Sequence, residues 1–213
     1  LMIYTGTYFF ELSPNEMTFL YAGGVIGVVT GSMLTRPLSN LVREKKHLYI
    51  AGYVWYTVLT SYVIILRLLD LLPENGHPVI APLYIISGMF SGIGLGLAIP
   101  LGSSMIADVT DEHERRFGNR QEGIYYAASS FAGKAIGGSG AILAGLIIDF
   151  AGIPQGADPA TVAPEAVVRF GWALGPAVIV MTAVAVVCIS FYSISRADHE
   201  AILREIEASK SVD

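Results

Sequence analysis

Long stretches without formal charge are the feature that most restricts the fold of this chain. Five such stretches, each 19 to 33 residues long, are residues 17–35, 47–66, 75–107, 170–195 and, with Lys134 as the one exception, 123–148. A helix of about 20 apolar residues crosses the hydrocarbon core of a bilayer. Charged residues make up only 15% of the chain, against about 25% in a soluble protein. The sequence therefore predicts an integral membrane protein and excludes a soluble enzyme, a nucleic-acid-binding protein and a disordered chain.

The same stretches define an all-α membrane bundle over residues 1–195. The chain opens on the apolar sequence Leu1-Met2-Ile3 without a charged leader segment, which suggests a helix whose earlier part is missing, and hence a fragment. A cytoplasmic tail is expected over 196–213, where Ile202 and Ile206 have helical spacing that fits an amphipathic helix or a solvated tail. We expect a helical stub at 1–12 and five spans, at about 17–35, 48–72, 79–107, 122–149 and 167–195.

Basic residues predict how these spans are oriented. Ten of the 13 lysines and arginines fall in the connectors 36–47 and 108–121 or in the tail. Two others lie at span ends on the opposite side, and Lys134 lies inside a span. Because cytoplasmic loops carry the excess of basic residues, these two connectors and the C-terminus are expected in the cytoplasm. The loop containing Pro154-Gln155-Gly156 is expected outside.

Small residues at four-residue spacing mark three of the spans. Such ridges let helix backbones approach closely within a membrane. They predict close helix packing, and three in one chain also suit helices that slide or rock. The ridges are Gly23, Gly27 and Gly31; Gly88, Gly92 and Gly96; and Gly133, Gly137, Ala141 and Gly145.

Lys134 is the one charge inside a predicted span. It lies 12 residues after Glu122, which is about 18 Å along a helix and near the middle of the membrane. An ammonium group at that depth requires water, an anion or a partner. Its helical face is small and polar, so we expect a substrate-binding or coupling site in which Ser130, Ser129 and Tyr126 accompany Lys134. A structural ion pair with a carboxylate on another helix is the alternative.

A dense charged segment follows the third predicted span. Asp108, Asp111 and Glu114 recur every three residues, and Arg120 and Glu122 follow them. Arginines lie among the carboxylates, and no further His or Cys stands at ligand spacing, which argues against a metal site. We expect ion pairs that act as a gate at the cytoplasmic mouth, while an ordinary solvated loop is the simpler alternative.

Residues 107–134 resemble a known family. The motifs Asp108-x-x-Asp111-x-x-Glu114 and Gly118-x-Arg120-x-Glu122-Gly123-x-Tyr125, followed by Lys134, are similar to those of the glycoside–pentoside–hexuronide:cation symporters. These proteins form the melibiose-carrier-like branch of the major facilitator superfamily. The segment Pro37-Leu38 with Arg43-Glu44-Lys45-Lys46 resembles the basic loop between the second and third helices of their C-terminal half.

The resemblance implies twelve helices in two halves with the solute between them. This chain would be the C-terminal six-helix half with its first helix truncated. Lys134 would contribute to the sugar and cation region, Ser129 and Ser130 would lie near the sugar, and Arg43 would join the cytoplasmic ion pairs. The coupling cation, Na⁺ or H⁺, would have its main site in the N-terminal half. Ile99 and Glu112 depart from the melibiose-carrier pattern, which argues against a galactoside.

Together these features predict a cation-coupled secondary transporter that moves a sugar or related small polar solute by alternating access. It would lie in the bacterial inner membrane and act with the N-terminal half. Transport of a lipid-like or other organic solute is one alternative, and a non-transporting membrane scaffold is another. An enzyme is not expected, because the four histidines are scattered and no Ser/His/Asp set is convincing. We also expect no catalytic residue, bound metal, cofactor or nucleic-acid partner.

Overall fold

The computed structural model describes residues 1–154 and 156–210, without the side chains of residues 160, 209 and 210. Gln155 of the predicted outer loop and residues 211–213 of the predicted tail lie outside the described residues. Five helices, α2 to α6, are long and apolar enough to cross a membrane, which confirms an all-α membrane fold. The helices are α1 (Met2–Tyr4, continued by a π-helical turn, Thr5–Phe9), α2 (Pro14–Leu41), α3 (Lys45–Leu68), α4 (Ile80–Phe117), α5 (Glu122–Ala151), α6 (Pro164–Ser190) and α7 (Arg196–Lys210), with a 3₁₀ turn at Pro159–Thr161.

The third span is much longer than its hydrophobic run predicts. Helix α4 continues to Phe117, so most of the predicted connector 108–121 is helical. Ion pairs from Glu112 to Arg115 and Arg116, one turn later, stabilise this polar extension. It ends at Gly118, whose φ of 73° is a left-handed conformation that glycine adopts without strain.

The other spans differ from prediction at their ends. A capping box begins α2 early, because Ser13 N donates to Glu16 Oε2 at 2.7 Å while Ser13 Oγ accepts from Glu16 N at 3.3 Å. Helix α2 then runs to Leu41, beyond the predicted limit at 35. Helices α3 and α6 end sooner than predicted, at Leu68 and Ser190.

The glycine ridges of α2 and α4 pack against each other. A methyl group on Gly27 would collide with the main chain at Met89, and one on Gly31 with the main chain at Ile93. The Ser32 hydroxyl also reaches across to the Gly96 carbonyl oxygen at 3.1 Å. Two of the three predicted ridges thus form one close-packed seam, as expected for helices in a membrane.

The third ridge behaves differently. A methyl group on Gly133, Gly137 or Gly145 of α5 would meet no atom within 4 Å in the described part of the chain. An unpredicted contact joins α3 to α4 instead, where a methyl group on Gly52 would lie 2.7 Å from the Gly94 carbonyl oxygen. Helix α4 is therefore the centre of the bundle, with α2 and α3 against it, while the ridge of α5 stays open.

An aromatic core closes one end of the bundle. Phe10 of the N-terminal segment packs against Tyr84 of α4 with ring centroids 4.3 Å apart. Phe170 of α6 is completely buried in the same cluster. The Tyr8 hydroxyl donates to the Ala157 carbonyl oxygen at 2.9 Å, which ties the α5–α6 connection to this core.

Candidate functional site

Asp108 is the centre of a buried charged network at the opposite end of the bundle from the aromatic core. Lys45 Nζ, at the first turn of α3, donates to both Asp108 carboxylate oxygens at 2.7 and 2.8 Å. The Tyr192 hydroxyl, just after α6, donates to Asp108 Oδ2 at 2.8 Å. Burial, followed by the hydrogen bond to Asp108, raises the pKa of Tyr192, so its hydroxyl remains protonated as a donor.

Asp111 and Glu114, on the same face of α4, extend the network by one and two turns. Arg120 Nη1 lies 3.0 Å from Asp111 Oδ1 and 3.2 Å from Glu114 Oε2. Arg120 Nε also contacts Glu122 Oε2 at 3.1 Å. The hydrogen bond that Arg120 donates to Glu122 and the negative charge of Asp111 raise the pKa of Arg120. The arginine thus bridges the carboxylates of α4 to the first turn of α5.

The structure brings together most of the residues predicted to form ion pairs. Arg120 joins Asp111, Glu114 and Glu122, and Asp108 is paired with Lys45. Arg43 is not among them, because it lies in the α2–α3 connection beside a neighbouring cavity and forms no ion pair with a described residue. Lys45 faces Asp108 in its place.

Two further members of the network could not be assigned from sequence. Tyr192 is separated from Asp108 by 84 residues, and His199 lies 88 residues from Asp111. His199 Nε2 is 3.1 Å from Asp111 Oδ2 and 3.4 Å from Asp108 Oδ1. The sequence offered one indication for His199. Its spacing places it on the same helical face as Ile202 and Ile206.

The tail is an amphipathic helix rather than a solvated segment. Ile202 and Ile206 of α7 are buried. Ser195 caps the helix, because Ser195 N donates to Asp198 Oδ2 at 3.0 Å and Asp198 N donates back to Ser195 Oγ at 3.1 Å. Hydrogen bonds from Ser195 lower the pKa of Asp198, because they favour its ionised form.

Glu112 and His113 of α4 make contacts outside the Asp108 network. Glu112 faces Arg115 and Arg116. His113 Nδ1 lies 3.1 Å from the Tyr125 hydroxyl, and its ring packs on Phe117 with centroids 4.6 Å apart. Within the described residues, no group of three or more His, Cys, Asp or Glu side chains is placed to hold a metal ion.

The predicted substrate-binding residues all lie on the exposed surface of α5. Lys134, Ser130, Ser129 and Tyr126 are exposed, and Ala151 is the only buried residue among those described in this helix. Contacts at its two ends hold α5 in place; one of them is the hydrogen bond from the Tyr126 hydroxyl to the Ser103 carbonyl oxygen at 3.3 Å. The middle of α5 is thus an open face.

The four predicted substrate-binding residues point in different directions around the axis of α5. Successive side chains are about 100° apart, so Ser130 lies about 40° and Tyr126 about 80° from Lys134, while Ser129 lies about 140° away. Ser130 and Tyr126 can therefore face the same space as Lys134, whereas Ser129 points toward another side. Lys134 forms no ion pair with any described residue, so the structural ion pair has no partner in this part of the chain.

Comparisons with known proteins agree with this architecture. An uncharacterised symporter of Synechocystis sp. is 32% identical over 136 residues, which are 61% of this chain and 24% of that protein. The aligned region thus spans about a quarter of that relative's length. No solved structure matches the chain significantly. The sequence profile of the family described as MFS/sugar transport protein, where MFS denotes the major facilitator superfamily, matches residues 1–196. The chain therefore belongs to the MFS/sugar transport protein family.

Proposed function

We propose that this chain is the C-terminal half of a cation-coupled symporter that moves a sugar or related small polar solute by alternating access. The observation that carries the proposal is Lys134, a charged side chain near the middle of a membrane-spanning helix, on a face that the other described residues leave open. Membership of a family of sugar transporters supports a solute as the ligand of this face.

The open face of α5 carries a charged side chain, which is unfavourable in contact with lipid. A charged side chain facing lipid at the centre of a bilayer costs about 3 kcal/mol or more, whereas water, a solute or a second helical bundle removes that cost. In this proposal an N-terminal six-helix half lies across α5 and encloses Lys134, Ser130 and Tyr126 in a solute pathway. The same half supplies the main site for Na⁺ or H⁺.

The charged network holds one end of this half together. Its contacts join α3, α4, α7 and the α4–α5 connection, all within this chain. We propose that it keeps these helix ends moving as one body at the cytoplasmic mouth while the two halves rock. The excess of basic residues at this end supports a cytoplasmic C-terminus. We propose that the membrane is a bacterial inner membrane. The family supports a transporter rather than an enzyme.

A lipid-like solute is the second candidate. A cavity of ≈ 580 Å³ lies among the N-terminal segment, α2, α3, α4 and α6, and its wall is mainly apolar, with Leu20, Val25 and Val28 among its lining residues. Such a lining suits an acyl chain better than a sugar. Competition by a short-chain lysophospholipid in the uptake assay below separates this candidate from a sugar.

Uptake by the full-length protein tests the proposed function. Purified protein in proteoliposomes is given radiolabelled hexoses, pentoses and hexuronides under an imposed Na⁺ or H⁺ gradient. We expect gradient-driven uptake of at least one sugar. Lys134→Ala should reduce its initial rate about 10- to 100-fold, because hydrogen bonds from a charged donor contribute about 1.5–3 kcal/mol.

Ile136→Ala provides the matched control, since Ile136 is exposed two residues further along α5 and lies about 200° around the helix from Lys134. Its uptake should stay close to that of the native protein. Gradient-driven uptake that Lys134→Ala leaves unchanged would contradict the role of Lys134. Uptake that no gradient accelerates would contradict cation coupling.

A further inference from the structure

A cavity whose wall includes several charged residues, separate from the open face of α5, lies where α2 ends. Its volume is ≈ 610 Å³, and its wall comes from the last turns of α2, the α2–α3 connection, α4 and the start of α7. Its wall is strongly basic. The ionisable side chains that line it are Arg36, Arg43, Lys45, Arg196, His199 and Glu200.

Two of the four lysine and arginine charges on this wall are already balanced. Lys45 is paired with Asp108 at 2.7 Å, and Arg196 is paired with Glu200, the one carboxylate among the described lining residues, at 3.2 Å. Arg36 and Arg43 remain. Both are exposed, and neither forms an ion pair with a described residue. The cavity therefore carries two positive charges without a counter-charge.

Three of the four hydroxyl groups on the wall, those of Ser32, Thr35 and Ser39, already donate to main-chain carbonyl oxygens. Thr35 Oγ1 donates to the Gly31 carbonyl oxygen at 3.1 Å, and Ser39 Oγ donates to the Thr35 carbonyl oxygen at 2.7 Å. The protons of both hydroxyls are thus directed to the backbone of α2. The charged donors without an ion-pair partner among the described lining residues are the two guanidinium groups, and guanidinium groups bind phosphate oxygens through paired, parallel hydrogen bonds.

The position of the cavity indicates where a phosphate group would come from. It lies at the end of membrane-spanning helix α2. Large apolar side chains are exposed on the same last turns of α2: Met33 is 73% exposed and Leu41 is 79% exposed. Basic pockets between membrane helices bind anionic lipid head groups, and exposed apolar residues beside such a pocket can contact acyl chains.

We propose that Arg36 and Arg43 bind the phosphate group of an anionic phospholipid in this cavity. The site holds a lipid of the surrounding leaflet against the junction of α2, α3 and α7, beside the Lys45–Asp108 pair. It is distinct from the proposed solute pathway on α5, and it does not depend on which solute the protein transports.

Lipid binding to the full-length protein tests the proposal. The detergent-solubilised protein is titrated with dioctanoyl phosphatidylglycerol, dioctanoyl phosphatidylcholine and inorganic phosphate, and each Kd is measured by native mass spectrometry or thermophoresis. We expect phosphatidylglycerol to bind more tightly than phosphatidylcholine. Arg36→Gln with Arg43→Gln should weaken phosphatidylglycerol binding about 30-fold, since each basic side chain contributes about fivefold near an anionic surface.

Arg204→Gln is the matched control, because Arg204 is a basic residue of α7 whose Nε donates to the Glu200 carbonyl oxygen of the same helix and which does not line the cavity. It should leave the Kd within about twofold. Arg36→Lys with Arg43→Lys keeps both charges and should weaken binding less than the glutamine pair, a comparison that separates loss of charge from misfolding.

Three outcomes would overturn all or part of this assignment. Equal affinity for phosphatidylglycerol and phosphatidylcholine would remove the requirement for an anionic lipid. Unchanged phosphatidylglycerol binding in the double glutamine variant would remove the two arginines from the site. Binding of inorganic phosphate that is as tight as that of the lipid, and equally sensitive to both substitutions, would keep the phosphate site but overturn the lipid as its source.

Discussion

Gly27→Ala should destabilise the protein by about 2 kcal/mol, within the range for forcing extra atoms into a closely packed contact. The added methyl group would overlap the Met89 carbonyl oxygen and lie 3.1 Å from Gly92 Cα. Both neighbours are main-chain atoms of α4, so no side-chain rotation can make room for the methyl group. Helices α2 and α4 must therefore separate along their whole contact, which SDS titration or thermal unfolding of the full-length protein would detect.

Gly24→Ala is the control for this substitution. Gly24 lies on the same helix, less than one turn before Gly27, and a methyl group there would meet nothing within 4 Å. Because alanine has the higher helix propensity, this variant should be neutral or slightly more stable than the native protein. Equal losses of stability in the two variants would contradict the α2–α4 seam as described.

Asp108→Asn should cost about 3 kcal/mol, because removing one partner of a buried ion pair leaves the other charge uncompensated. The Asp108 side chain is only 4% exposed, whereas Lys45 is 30% exposed and can partly hydrate, which places the expected loss at the lower end of the range. The Tyr192 hydroxyl and His199 contact different oxygens of the same carboxylate, and asparagine keeps only one acceptor oxygen. Denaturant unfolding of the full-length protein gives the free energy directly.

Two further variants distinguish the contribution of the buried ion pair to stability from that of a surface charge. Glu122→Gln removes a carboxylate that is 53% exposed and should cost less than about 1 kcal/mol. Lys45→Met combined with Asp108→Asn leaves no unpaired charge and should be more stable than Asp108→Asn alone. A loss in Asp108→Asn no larger than in Glu122→Gln would show that the network contributes little to stability.

The membrane helices could be predicted from the sequence because charge-free runs long enough to cross a bilayer are a local property. Their ends were less predictable. Helix α4 continues as a polar helix to Phe117. Ion pairs from Glu112 stabilise this extension and Gly118 ends it, so the length of the hydrophobic run did not indicate where the helix ends. The glycine ridges showed which helices can approach closely. They could not show that the ridges of α2 and α4 meet while that of α5 stays open.

The charged network was only partly predictable for the same reason. Asp108, Asp111 and Glu114 share a helical face by their spacing alone, and Arg120 and Glu122 are close to them in sequence. The partners Lys45, Tyr192 and His199 come from three other parts of the chain. A pattern within one segment cannot identify contacts that depend on how α3, α6 and α7 pack, so Arg43 was expected where Lys45 lies.

The reactivity of a cysteine at position 134 tests most directly whether the open face of α5 borders a water-filled pathway. In the full-length protein, exposed Cys188 is first replaced by serine, and Lys134→Cys and Ile136→Cys are compared in native membranes with a charged, membrane-impermeant thiol reagent. If the face around Lys134 lines a solute pathway, the cysteine at 134 should react much faster than the one at 136, because water and not lipid surrounds it. Equal or slower labelling at 134 would mean that this face contacts lipid or packed protein, and it would contradict the proposed transport site.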